Sequence, residues 1–124
     1  MASILIASDD TAWADQVAHC VEAEGYEPAC VTNGLEACEQ AAGSPPALAF
    51  LDVNLPVYDG FETCRLLRAE PGVPAATPIF LVGNIRPAAK QLENVGATGY
   101  LSKTLDVVAL RDLLIEHLQG YRNR

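Results

Sequence analysis

Four charged residues of this chain have the types and placement for phosphate or cation chemistry: Asp9, Asp10, Asp52 and Lys103. Each follows a short apolar run. Asp9 and Asp10 come after Ile4-Leu5-Ile6-Ala7-Ser8, Asp52 after Leu48-Ala49-Phe50-Leu51, and Lys103 after Tyr100-Leu101-Ser102. Carboxylates brought together repel one another unless something compensates them. A divalent cation and a lysine are the two compensations this set suggests. Mg²⁺ takes a few carboxylate oxygens and keeps several waters, which leaves room for phosphate oxygens. Taken singly, the same residues have plainer readings: Asp9 or Asp10 as a helix cap, Asp52 as a loop acid before the turn Asn54-Leu55-Pro56, and Lys103 as a solvated charge. What decides between the readings is whether the fold brings these strand ends together.

The hydrophobic pattern says that it does. Short apolar runs alternate with amphipathic segments along the whole chain. Strands are expected at Ile4–Ala7, Pro28–Val31, Leu48–Leu51, Ile79–Val82 and Tyr100–Leu101. Pro28 puts the second strand at a sheet edge. The third, apolar throughout, reads as a central parallel strand covered on both faces. Helices are expected from Thr11 to Glu24, with Trp13, Val17, Cys20 and Val21 inward, and from an Asn33 cap to Ala42. A third runs from Gly60 to Ala69, with Phe61, Cys64, Leu67 and Leu66 facing the core. A fourth follows Pro87 and ends by Gly96, and a fifth runs from an Asp106 cap through Leu118. Five βα units in sequence specify a flavodoxin-like, doubly wound α/β fold with a five-stranded parallel sheet in the order 2-1-3-4-5. In that topology ligands bind at the carboxyl ends of strands 1 and 3. Neighbouring strands lie about 4.8 Å apart, so the acids after strands 1 and 3 should converge, with Lys103 in reach.

The length of 124 residues suits a single domain over 1–124. The net charge of −8 argues against a nucleic-acid-binding surface and against anionic membranes. The four cysteines form no C-x-x-C pair and are expected to be buried or half-buried reduced thiols. The N-terminal apolar run has no basic flank and is too short for a signal peptide or a membrane span, so the expected location is the cytoplasm.

Three segments carry a family resemblance: Ile4-Leu5-Ile6-Ala7-Ser8-Asp9-Asp10, then Leu51-Asp52-Val53-Asn54-Leu55-Pro56-Val57-Tyr58-Asp59-Gly60-Phe61-Glu62, then Gly96-Ala97-Thr98-Gly99-Tyr100-Leu101-Ser102-Lys103. Together they resemble the receiver domain of two-component response regulators, across essentially the whole chain. The resemblance implies that Asp52 accepts a phosphoryl group, with Mg²⁺, from a histidine kinase or phosphotransfer protein, and that the domain signals through contacts with a downstream protein. It implies no enzyme beyond self-catalysed phosphorylation and dephosphorylation of that aspartate. Asp9 matches the main metal-binding acid, and Asn54 the residue whose backbone carbonyl binds the metal. Asp10 is a further possible ligand. Lys103 matches the lysine that pairs with phosphoryl oxygens, and Tyr100 the aromatic that turns inward on activation.

The sequence also departs from the family pattern. The usual acid pair falls at Ser8 and Asp9, so one acid is missing. Gly83 stands where a Thr or Ser hydroxyl normally binds a phosphoryl oxygen and couples it to the aromatic. Thr104 replaces the proline of a cis peptide; since a cis bond before a non-proline costs roughly 3 kcal/mol, a trans bond and some displacement of Lys103 or its loop are expected. The fourth helix should be short. These departures keep a second reading open, a receiver-like interaction module that works without phosphorylation. A small hydrolase with an aspartyl nucleophile is a third, but the chain has no room for a cap domain. An effector domain could follow in the native gene.

Overall fold

The computed structural model describes residues 2–104 and 106–119. Its strands are β1 Ser3–Ala7, β2 Glu27–Val31, β3 Leu48–Asp52, β4 Ile79–Gly83 and β5 Gly99–Ser102. Its helices are α1 Thr11–Ala23, α2 Gly34–Gly43, α3 Gly60–Ala69, α4 Ala89–Val95 and α5 Val107–His117. The strands pair in parallel in the order β2-β1-β3-β4-β5, as the alternating pattern requires.

Successive strand side chains point to opposite faces, and this splits the core in two. Ile4, Ile6, Leu48, Phe50, Phe80 and Val82 meet Val17 and Val21 of α1 and Leu110 and Leu114 of α5. Leu5, Ala7, Ala49, Leu51, Ile79 and Leu81 meet Ala37 of α2, Cys64 and Leu67 of α3 and Leu92 of α4. Burying apolar surface on both faces of β1, β3 and β4 contributes roughly 1.5–3 kcal/mol per large side chain and makes these strands a rigid base. Pro28 does lie in the edge strand β2. Trp13, Phe61 and Leu66, expected inward, are only half-buried. The core-facing positions of α1 include the smaller Ala14 and Ala18, which let the helix sit close to the sheet.

Each helix but α4 starts on a side-chain cap. Asp10, Asn33, Asp59 and Asp106 accept from the amides of Trp13, Glu36, Glu62 and Ala109. Such a cap contributes about 1 kcal/mol. Pro87 is not in the first turn of α4; it precedes the N-cap residue Ala88, and the helix has only seven residues. Cys20 and Cys64 are buried and Cys38 half-buried, but Cys30 is exposed on the edge strand, against expectation. Burial pushes the Cys64 thiol up to about 11, so it stays protonated at neutral pH. Among the described residues no helix is long and apolar enough to cross a membrane.

The loop from β3 to α3 holds one strained residue. Val57 has φ +70° and is 68% exposed. A β-branched side chain is disfavoured in this left-handed region, at a cost of order 1–3 kcal/mol. Val57→Gly should therefore raise stability by about 0.5–1 kcal/mol in urea unfolding, after the entropy cost of glycine is counted. A loss of stability would show that the Val57 conformation is not strained.

Candidate functional site

The carboxyl ends of β1, β3, β4 and β5 lie side by side, and Asp52 closes β3 among them. Asp52 is 0% exposed. A buried carboxylate is costly unless it is paired and hydrogen-bonded, and this one is both. Its Oδ2 accepts from the Ser8 hydroxyl at 2.9 Å and from the Lys103 ammonium at 2.7 Å. Its Oδ1 accepts from the Asn54 amide at 3.0 Å.

Each partner is set by its own strand end. Ser8 follows β1, its amide bonds to the Val31 carbonyl of β2, and its Oγ accepts from the Asp10 amide at 3.0 Å. Lys103 follows β5, and its amide bonds to the Gly83 carbonyl of β4 at 3.1 Å. The Lys103–Thr104 bond is trans. With this trans bond the Lys103 side chain still spans to Asp52. The turn behind it is held by Ser102, whose hydroxyl accepts from the Thr104 amide and bonds its side chain. Burial pulls the Lys103 pKa down, but bonds and charge from Asp52, and then Asp10, outweigh it and leave it raised. Lys103 is thus a held cation.

The acids after β1 and β3 meet through Lys103, whose ammonium touches both Asp10 and Asp52. Asp10 turns to cap α1 and touches Lys103 at 3.4 Å, 43% exposed at its side chain. The Trp13 amide and, against opposing desolvation, Lys103 keep its pKa low. Asp9 is exposed, and so is Asn54, which reaches Asp52 only through its main chain. Among the described residues no three His, Cys, Asp or Glu side chains are grouped to hold a metal ion. The reason is local: Ser8, not an acid, projects from the end of β1 onto Asp52. The sequence marked Ser8 as a missing acid; its part as a hydrogen-bond donor to Asp52 was not anticipated, although a hydroxyl beside a strand-end carboxylate was a usable signal.

Two glycines set close approaches. Gly60 opens α3, and its amide bonds to the Val53 carbonyl at 3.2 Å. A Cβ there would run into the Asp52 carbonyl and lie 2.8 Å from Val53 Cα. Gly83 ends β4, and a Cβ there would lie 2.9 Å from Val53 Cγ2 and 3.2 Å from the Tyr100 hydroxyl. The Tyr100 hydroxyl lies beside the space left bare at Gly83. It is buried there without a hydrogen-bond partner, with the Arg86 guanidinium 5.8 Å from the ring centre. Desolvation raises the Tyr100 pKa, Arg86 opposes this, and the charge of Asp52 adds to it.

The arrangement is a buried carboxylate with a held ammonium on one oxygen, at the carboxyl edge of the sheet. Comparison with known proteins places the fold. The structure superposes on chemotaxis protein CheY4 of Vibrio cholerae with a TM-score of 0.87 at 30% identity, over 95% of this chain and 99% of that one. It shares its fold with the receiver domain of the sensor histidine kinase PA1611 of Pseudomonas aeruginosa, at a TM-score of 0.83 and 22% identity over 95% and 98% of the two chains. Among curated sequences, the DNA-binding response regulator MtrA of Mycobacterium leprae is 35% identical over 71 residues, 57% of this chain and 32% of that protein. The dual master transcriptional regulator RpaA of Synechocystis is 34% identical over 86% of this chain and 45% of its own length. The chain thus spans between about a third and a half of these curated relatives. The family described as the response regulator receiver domain matches residues 4–115, and the chain belongs to it.

Proposed function

We propose that this domain is a phosphoacceptor of a two-component relay, with Asp52 the residue modified. The observation that carries the reading is the buried Asp52 carboxylate held by Lys103 at 2.7 Å at the strand edge. An Asp52 oxygen attacks the phosphorus of a phosphohistidine on a histidine kinase or phosphotransfer protein. The P–N bond breaks, an acyl phosphate forms, and the imidazole leaves. Such transfer needs alignment and charge neutralisation more than covalent help from the protein. Lys103, already adjacent, follows the negative charge from the carboxylate to the phosphoryl oxygens.

The donors available to Mg²⁺ are few. It binds with one or two carboxylates plus waters, and Asp9, Asp52 and the Asn54 carbonyl would hold it. When bound it would neutralise phosphoryl oxygens. In the Pseudomonas aeruginosa receiver domain a magnesium ion is coordinated in the active-site cleft. Since Ser8 projects onto Asp52 where an acid would add a ligand, Ser8→Asp should tighten Mg²⁺ binding roughly tenfold. The single tryptophan, Trp13, lies beside Asp10 and reports the titration by fluorescence. Unchanged or weaker binding would mean that position 8 does not face the metal.

The test of the main reading is incorporation of phosphate from acetyl phosphate with Mg²⁺, located by mass spectrometry. Gly83 favours a second reading, because it carries no hydroxyl to convert a phosphoryl group into movement. In that case the domain binds its partner whether or not Asp52 is modified, and an Asp52→Asn variant binds as well as the wild type.

A further inference from the structure

We propose that Tyr100 supplies from β5 the hydroxyl that the chain lacks at Gly83, donating a hydrogen bond to an oxygen of a phosphoryl group on Asp52. The inference rests on the reading of Asp52 as phosphoacceptor and adds a phosphoryl-binding residue to it. Four observations support it. The Tyr100 hydroxyl is buried and has no partner, a condition rare in folded proteins and one that calls for a reason. It lies 3.2 Å from where a side chain at position 83 would begin, so it stands beside the place from which a β4 hydroxyl would act. No side chain at Gly83 stands between it and the pocket. Position 83 also follows directly on Val82, the register partner of Asp52.

The unmodified chain leaves this donor idle for a simple reason. Asp52 already accepts from Ser8, Lys103 and Asn54. A phosphoryl group would bring three new acceptor oxygens to the same edge. The raised pKa of Tyr100 keeps its proton in place as a donor. Tyr100 would then bind in the position it already holds, with no swing from outside.

The test uses the whole chain with Mg²⁺ and beryllofluoride as the phosphoryl mimic, followed by ¹⁹F NMR and Trp13 fluorescence. Tyr100→Phe should weaken beryllofluoride binding on the order of tenfold, the scale of one hydrogen bond to a charged group. Adding Gly83→Ser to Tyr100→Phe should recover most of the loss. The phenylalanine frees the space beside position 83, and only the Val53 methyl at 2.9 Å need move. Without the mimic, Tyr100→Phe should melt at the same temperature as wild type or higher, because it removes an unpartnered buried hydroxyl. Equal affinity in wild type and Tyr100→Phe would overturn this inference and leave Asp52 as acceptor. So would a lowered Tm with unchanged affinity, which would make the hydroxyl structural. Failure of the wild-type chain to bind beryllofluoride would remove the phosphoacceptor reading and this inference with it.

Discussion

Asp52→Asn should abolish labelling by acetyl phosphate and lower stability by about 1–3 kcal/mol. The first effect follows from the loss of the carboxylate proposed as nucleophile. The second follows from the donors around it. Three donors converge on the two oxygens of Asp52. An amide offers one oxygen, so its –NH₂ must face either the Lys103 ammonium and Ser8 or the Asn54 amide. Lys103, 16% exposed at its side chain, would keep Asp10 at 3.4 Å as its remaining carboxylate partner among the described residues. The stability difference should depend on pH. The Lys103 pKa is raised in the folded chain, so its contribution is fully present below the unfolded lysine value and is lost as pH rises through the folded one. Urea unfolding at pH 7 and above pH about 10 should show the wild-type advantage shrinking at the alkaline end. Labelling of Asp52→Asn at the wild-type level would place the acceptor elsewhere and sink the proposed function.

Gly60→Ala should be strongly damaging to the site, costing about 3 kcal/mol, the upper end for overpacking. The new Cβ would meet the Asp52 carbonyl, Val53 Cα at 2.8 Å and the Asp52 carbonyl carbon at 2.9 Å. These are main-chain atoms of β3 and the residue after it, so no side-chain rotation relieves the contact. Either α3 lifts away from Asp59 and its cap or the end of β3 shifts, and Asp52 leaves its place against Ser8 and Lys103. Gly43→Ala is the control. It lies at the end of α2 with open space around its Cβ, so it should leave stability unchanged or raise it slightly. Equal midpoints for the two variants would show that the approach of α3 to Asp52 is loose.

Much of this protein was legible in its sequence. The apolar runs at Ile4–Ala7 and Leu48–Leu51 could be buried only in a sheet covered on both sides, and Pro28 could only sit at its edge. Asn33 and Asp106 announced helix starts, because a short polar side chain ahead of an amphipathic segment satisfies free amides. Asp59 caps α3 in the same way but was hidden in the turn that follows Asp52. Asp52 and Lys103 were legible as strand-end charges, since the topology fixes which strand ends are neighbours.

What the sequence left open was how side chains at those ends divide the work. Asp9 and Asp10 are adjacent and chemically identical, and only the entry angle of α1 sends Asp10 to the Trp13 amide and leaves Asp9 exposed. Ser8 looked like a missing acid and is a donor to Asp52. Gly83 looked like a lost hydroxyl, yet whether another group fills a space depends on a residue 17 positions later in a neighbouring strand. Sequence pattern determined the order of the strands and placed Asp52 at the end of the third, because these follow from periodicity and burial. The tertiary structure alone decided which donors reach Asp52 and put the Tyr100 hydroxyl beside Gly83, because both depend on distances of an ångström between side chains from different strands.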